Sequence, residues 1–244
     1  MQQNMNGYNA TDKWVWETLF SRQAKQLEQF ACRDYLDCLK IMNPVLNKNV
    51  IPDFKKINQW FETQTGWEIK VVKGLIPVDD FFELLANKQF CSSTWLRSPD
   101  SLDYLEEPDM FHDIFGHIPL LANPTFSNFA QEFGKLGVKL KEDKEAVLAL
   151  QRLYWYTIEF GLIQEETLKI YGAGIISSFG ETSRSLSKEV KHTAFEISDI
   201  LNKTFRTDVM QEEYVVVKSL SQLMTSVNMI VTHLENEPID SLIG

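Results

Sequence analysis

The amino-acid sequence predicts a mainly α protein with a few short β-strands, an α+β fold. Three observations carry that expectation. Apolar residues recur at helical spacing through long segments; runs rich in β-branched residues are few and short; and the composition, 44% hydrophobic and 24% charged over 244 residues, suits a packed globular core. No internal repeat, low-complexity tract or linker divides the chain, so residues 11–244 are expected to form a single domain behind a polar, disordered stretch over residues 1–10.

Taken in order, Thr11 or Asp12 is placed to cap a first helix, through which Trp14, Leu19, Leu27, Phe30 and Ala31 recur and which should end before Asn43 and Pro44. Asp53 opens a second helix with Phe54, Ile57, Trp60 and Phe61 on one face, and Gly66 leads into a strand over residues 67–73. The turn GLIP (74–77) feeds a short helix that buries Phe81, Phe82, Leu84 and Leu85. Residues 89–97 read as extended, and a polar loop over 98–107 delivers the chain into PDMFHDIFGHIPLL (108–121). Beyond Pro124 a helix turns Phe126, Phe129, Phe133 and Leu136 inward, and the charged run 139–145 reads as a solvated turn before a long apolar helix that carries Glu159. YGAG (171–174) breaks the chain. Residues 175–179 are expected to be extended, 181–189 and 194–205 helical, 213–217 a strand and 219–234 a final amphipathic helix.

The formal net charge of −10 argues against nucleic acid or an anionic membrane surface as partner, since both select for basic patches. Cys32, Cys38 and Cys91 are odd in number and lack CxxC spacing, which fits free thiols in a reducing cytoplasm. The N-terminus lacks the basic-then-apolar pattern of a signal peptide, and no run of 18 apolar residues occurs.

The stretch 108–121 holds two of the four histidines. His112 and His117 stand five residues apart, about 140° around an ideal α-helix, so one regular helix could not aim both imidazoles at one atom. Gly116 before His117 and Pro119 after it predict a helix from about Asp109 to Phe115 that ends there and swings His117 back. The zinc-protease pattern HExxH needs i, i+4 spacing and a glutamate, which Asp113 and the i, i+5 spacing do not supply. Two histidines alone fit a core role as well as a metal site. Glu159 supplies a third candidate: it is the sole charge in LYWYTIEFGLI (153–163), and a buried unpaired carboxylate calls for a cation. His112, His117 and Glu159 would form a two-histidine, one-carboxylate face with open positions, an arrangement associated with non-haem Fe(II) oxygen chemistry.

PDMFHDIFGHIPLL, LYWYTIEFGLI and YGAGIISSFGE (171–181), in that order and spacing, resemble the signatures of the pterin-dependent aromatic amino acid hydroxylases, in particular the short bacterial phenylalanine 4-hydroxylases. The resemblance runs from about Tyr8 to Val217 through SRQ (21–23), IPDF (51–54), TGW (65–67) and GLIP. It implies the single-domain catalytic fold of that family, Fe(II), tetrahydrobiopterin or a related tetrahydropterin as a two-electron donor, O2, and hydroxylation of L-phenylalanine to L-tyrosine. His112, His117 and Glu159 would hold the metal, with Asp113 as an acidic catalytic residue facing the pterin. Gly74, Leu75, Ile76, Phe81 and Tyr154 would bind the pterin. Arg97 would receive the substrate carboxylate with Asp109 orienting it, and Tyr104, Leu105, Pro108, Trp155, Phe160, Gly174 and Ser177 would complete the substrate site, with Glu181 behind the metal ligands. Leu105 replaces a threonine of the animal enzymes. Those enzymes also carry a regulatory domain and a tetramer-forming helix, for which this chain has no length, so a monomer is expected.

Trp155, four residues before Glu159 and about 40° round an ideal helix, is expected to face the metal as the wall of the ring pocket, where the resemblance places a large residue in enzymes that take a single six-membered ring. The segments near Pro108, Phe160 and Gly174 offer no evident partner for a phenol hydroxyl, whose unmatched burial would cost about 1–3 kcal/mol, so phenylalanine is preferred over tyrosine. Tryptophan 5-hydroxylation and phenylalanine 3-hydroxylation are alternatives within the family. Outside it stand a metallohydrolase with Asp113 as base and a non-catalytic helical module with structural histidines.

Overall fold

The computed structural model describes residues 1–103, 107–234 and 241; Tyr104 and Leu105 lie outside the described residues. Helix α1, Ala10–Phe30, begins with a reciprocal cap: the Asn9 side chain accepts from the Thr11 and Asp12 amides, and the Asp12 carboxylate accepts from the Asn9 amide. Asn9, and not Thr11 or Asp12, is therefore the cap. The helix buries Val15, Trp16, Leu19, Phe20, Gln23 and Leu27, which leaves Trp14 half exposed. Helix α2, Arg33–Ile41, follows.

Residues 1–10, expected to be disordered, are instead fastened to the domain. The Gln3 amide donates to Pro52 O (2.9 Å) and its carbonyl accepts from Phe54 N (2.9 Å), so Gln3 serves an orphan donor at the start of α3, Phe54–Glu62, while the Tyr8 hydroxyl donates to Thr94 O (2.8 Å). Asp53 caps α3 as its position predicts.

Strand β1, Glu68–Val71, and strand β2, Gln89–Ser92, pair in parallel, with α4, Val78–Ala86, crossing between them. Helix α5, Pro124–Leu140, packs against α4 and against the final helix of the chain, and turns Phe126, Phe129, Phe133 and Leu136 inward. The solvated turn is shorter than the charged run, because Asp143 caps α6, Lys144–Tyr154. Strands β3 (Leu162–Gln164) and β4 (Leu168–Ile170) then form an antiparallel pair. The chain turns through α7, Ala173–Ile176, and α8, Phe179–Ser185, where residues 175–179 were expected to be extended. Strand β5 (Lys191–Ala194), α9 (Ile197–Asn202), strand β6 (Glu213–Val217) and α10 (Leu220–Leu234) complete the described chain. The second sheet has the order β4-β3-β6-β5, with β6 parallel to both neighbours. No helix among the described residues is long and apolar enough to cross a membrane.

Two segments among the described residues widen beyond α geometry: His112–His117 and Trp155–Glu159 are π-helical turns. The expected helix end at Phe115 does not occur. The chain widens to an i→i+5 repeat instead, which puts residues five apart on one face.

Candidate active site

His112 and His117 are five apart, and so are Tyr154 and Glu159. The first π turn brings its histidine pair onto one face, and Tyr154, the last residue of α6, hydrogen-bonds the Glu159 carboxylate that ends the second. The imidazole Nε2 atoms of the two histidines lie 3.1 Å apart, and Glu159 Oε1 lies 3.1 Å from His117 Nε2. Glu159 Oε2 is 3.7 Å from His112 Nε2. All three donor atoms fall within 4.8 Å of one another. Donors 3.1 Å apart match neighbouring ligands that each stand about 2.1 Å from one centre. The set therefore fits a metal ion.

The surroundings prepare these donors. Ser177 Oγ donates its one proton to Ala173 O (2.8 Å), so at 2.9 Å from His112 Nδ1 it can only accept. That fixes the proton of His112 on Nδ1 and turns the Nε2 lone pair inward. Burial holds His112 down at about 4, neutral at ordinary pH. Burial pushes Glu159 upward, but His117, His112 and a hydrogen bond from the Tyr154 hydroxyl outweigh it and hold the carboxyl at about 2, ionised. Asp113 is pushed up to about 7 by burial, against the opposing Ser93 amide that donates to its Oδ2 (3.0 Å).

Close backbone packing sets the positions of both turns. A Cβ on Gly116 would lie 2.9 Å from Ala173 O, so Gly116 lets α7 press against the histidine turn and does not cap a helix. One on Gly172 would lie 2.5 Å from both Glu159 O and Gly161 N. Gln23 of α1 ties this assembly down by donating to Ile176 O (2.6 Å).

The donors face a cavity of about 330 Å3. Its lining includes His112, His117, Glu159 and Asp113, all five residues expected to bind pterin (Gly74, Leu75, Ile76, Phe81, Tyr154), and Pro108 and Trp155. The rings of Phe81 and Tyr154 meet edge to face at 5.2 Å. Arg97 and Asp109, buried behind the lining, form a two-pronged pair, Nε to Oδ2 at 2.9 Å and Nη2 to Oδ1 at 2.8 Å, which uses two of the five guanidinium protons. Phe160 packs against Trp155 (4.5 Å) and Gly174, and Ser177 braces His112; among the described lining residues none of these three occurs. Glu181 does not reach the metal donors: its carboxylate accepts from Gln211 N (3.0 Å) and from the Tyr214 hydroxyl. Sequence reasoning missed Phe205, which also lines the cavity, and Gln211, whose Oε1 accepts from Trp155 Nε1 (3.1 Å). Neither lies in a recognisable motif, and only the uncommon polarity of a fully bonded Gln211 marks it. Trp155 opens the second π turn and lines the cavity, while Tyr154 just before it is the residue that hydrogen-bonds Glu159.

Fold and site together describe a buried two-histidine, one-carboxylate donor set opening on a largely apolar cavity, the class of site that leaves coordination positions for reactants. The comparisons make the class specific. The family model for biopterin-dependent aromatic amino acid hydroxylases matches residues 4–239. The chain is 45% identical over 225 residues to the phenylalanine-4-hydroxylase of Chromobacterium violaceum, covering 91% of this chain and 75% of that one. A crystal structure of that organism's enzyme with bound iron(III) and 7,8-dihydrobiopterin superposes with a TM-score of 0.89 at 42% identity, over 98% of this chain and 87% of that one. Another, with iron and phenylalanine bound, gives 0.88 at 40% identity over 99% and 85%. The chain belongs to the biopterin-dependent aromatic amino acid hydroxylases.

Proposed function

We propose that this chain is a monooxygenase that uses iron and a tetrahydropterin to hydroxylate L-phenylalanine to L-tyrosine with O2. The observation that carries the reading is the His112–His117–Glu159 donor set in a cavity whose lining also includes every residue expected to contact pterin. Bound Fe(II) and tetrahydropterin would supply O2 activation and two electrons. The protein supplies placement.

His112, neutral and fixed in one tautomer by Ser177, and ionised Glu159 present lone pairs inward with His117. The turn at Gly74, Leu75 and Ile76, with Phe81 and Tyr154, offers a flat heterocycle backbone groups and aromatic edges. Asp113, on the same side, presents a carboxyl that can accept or hold a proton near neutrality. Arg97 has three guanidinium protons left after pairing with Asp109, and a planar fork of this kind suits the substrate carboxylate. Pro108 and Trp155 wall the ring and exclude water. The chain is taken to work as a single-domain monomer in the cytoplasm, where its three free cysteines, Cys32, Cys38 and Cys91, stay reduced. Iron-loaded protein given tetrahydrobiopterin should form tyrosine from phenylalanine, with little turnover of tryptophan by chromatography. Equal rates on the two substrates, or a meta-hydroxylated product, would overturn the substrate assignment.

A further inference from the structure

Gln211 is buried on the segment that leads into β6. Every polar group it owns is committed. Its Oε1 accepts from Trp155 Nε1 (3.1 Å), and its Nε2 donates to Arg206 O (2.9 Å) and Val209 O (3.0 Å). Its backbone N donates to Glu181 Oε1 (3.0 Å), and its backbone O accepts from Arg184 Nε (3.0 Å). One residue thus joins the π turn after α6, the loop after α9, and α8.

We propose that Gln211 is a positioning residue that fixes the indole of Trp155 as the wall of the ring pocket and thereby sets which aromatic ring the site accepts. The proposal rests on the reading above that the cavity takes an aromatic amino acid. Trp155 lies against Phe160 (4.5 Å) and is stacked on Phe205 (4.8 Å, 22° between planes). Stacking fixes the plane of an indole but lets it slide and turn within that plane. The indole has a single donor, and the Nε1 bond to Gln211 removes that freedom. The other half of the same amide clasps Arg206, next to Phe205, so both cavity-lining rings are placed by one side chain. Loop closure alone would need only the Nε2 donors. The Oε1 acceptor is the part that reads out in substrate selection, and Glu181 acts here, on the mount of the wall, through Gln211 N.

The test uses iron-loaded full-length protein carrying Gln211→Met, which keeps the length and removes the acceptor together with the two Nε2 donors, alone and combined with Trp155→Phe. Gln211→Met should lower the ratio of kcat/KM for phenylalanine to that for tryptophan by about 5-fold or more, through the KM for phenylalanine and with kcat little changed. In the Trp155→Phe background, where the indole donor is already gone, it should lower the ratio much less, leaving only the part that reaches Phe205 through Arg206. Acrylamide quenching assigned to Trp155, by difference from Trp155→Phe, should increase in Gln211→Met. If the variant does not fold, Gln211→Asn, one methylene shorter, withdraws the same acceptor and is read the same way. Equal losses on both substrates, or effects that multiply in the double variant, would overturn the proposal. Should the wild type fail to hydroxylate phenylalanine, the activity reading falls, and an unchanged quenching difference would then also sink the positioning role.

Discussion

The metal donors stand on two π turns whose backbones touch their supports directly, Gly116 against Ala173 and Gly172 against Glu159. The ring wall beside them, Trp155 with Phe205, is placed by stacking and by the amide of one glutamine. The floor is thus set by backbone against backbone, where no side chain can yield, and the wall by side chains that a substitution can retune. On the proposed reading, chemistry that needs donors held to a few tenths of an ångström would rest on the first kind of support and selection among rings on the second.

The largest break should come at the floor. Alanine in place of His112, His117 or Glu159 should abolish both stoichiometric iron and tyrosine formation, measured by metal analysis and product chromatography; variants that kept full iron would place the centre elsewhere. Next is Gly172→Ala. The added Cβ meets two backbone atoms at 2.5 Å, and overpacking of this kind costs about 1–3 kcal/mol. Each kcal/mol lowers Tm by about 2–4 °C in a chain this size. Gly74→Ala, where nothing lies within 4 Å, should leave Tm unchanged. If the two variants melt together, close packing is not what holds Glu159.

Behind the lining, Arg97→Lys removes the planar fork that grips buried Asp109 at 2.8 and 2.9 Å. The KM for phenylalanine should rise by about 10-fold or more with iron content intact. An unchanged KM would move the carboxylate site. A further effect, on metal affinity and not on KM, is expected behind the floor. Ser177→Ala leaves His112 Nδ1 without its acceptor, and loss of such a partner weakens metal affinity by about 10- to 100-fold, measured by iron titration against a chelator. Wild-type affinity would show that Ser177 does not orient the imidazole.

What the sequence disclosed follows the same division. The three donors were legible because histidines at i, i+5 and a lone carboxylate in apolar surroundings are costly to keep without a purpose. Helix α3 behind Asp53 and strand β6 were legible because cap chemistry and β-branched runs act locally. The π turns were not. A spacing that excludes a straight helix is satisfied by breaking it or by widening it, and which one occurs depends on α7 pressing on Gly116 from across the fold. IISSF (175–179) reads locally as extended, yet Ala173–Ile176 is helical, because tertiary packing outweighs propensity over so short a run. Gln211 was illegible for the plainest reason: its partners lie 56 and 30 positions away in Trp155 and Glu181.

The finest test lies under the wall, where the Tyr214 hydroxyl and Gln211 N both donate to Glu181. Burial raises the Glu181 pKa above its ordinary value, and these two donors, with the Arg184 charge, pull it back. A carboxyl whose folded pKa is raised destabilises the fold as pH climbs from the unfolded value, about 4.3, through the folded one. Tyr214→Phe removes one of the groups that restrain the rise, so the folded pKa should move further up and the penalty should widen above pH 4.3. Because Gln211 N still donates, the loss should be about 1 kcal/mol at pH 7.5 and shrink towards pH 4, where the carboxyl is largely protonated in both states. Denaturant unfolding of wild type and Tyr214→Phe at the two pH values reads the difference. A gap that stays constant between pH 4 and pH 7.5 would mean that Glu181 is not the ionised acceptor in this mount, and that Tyr214 contributes by packing alone.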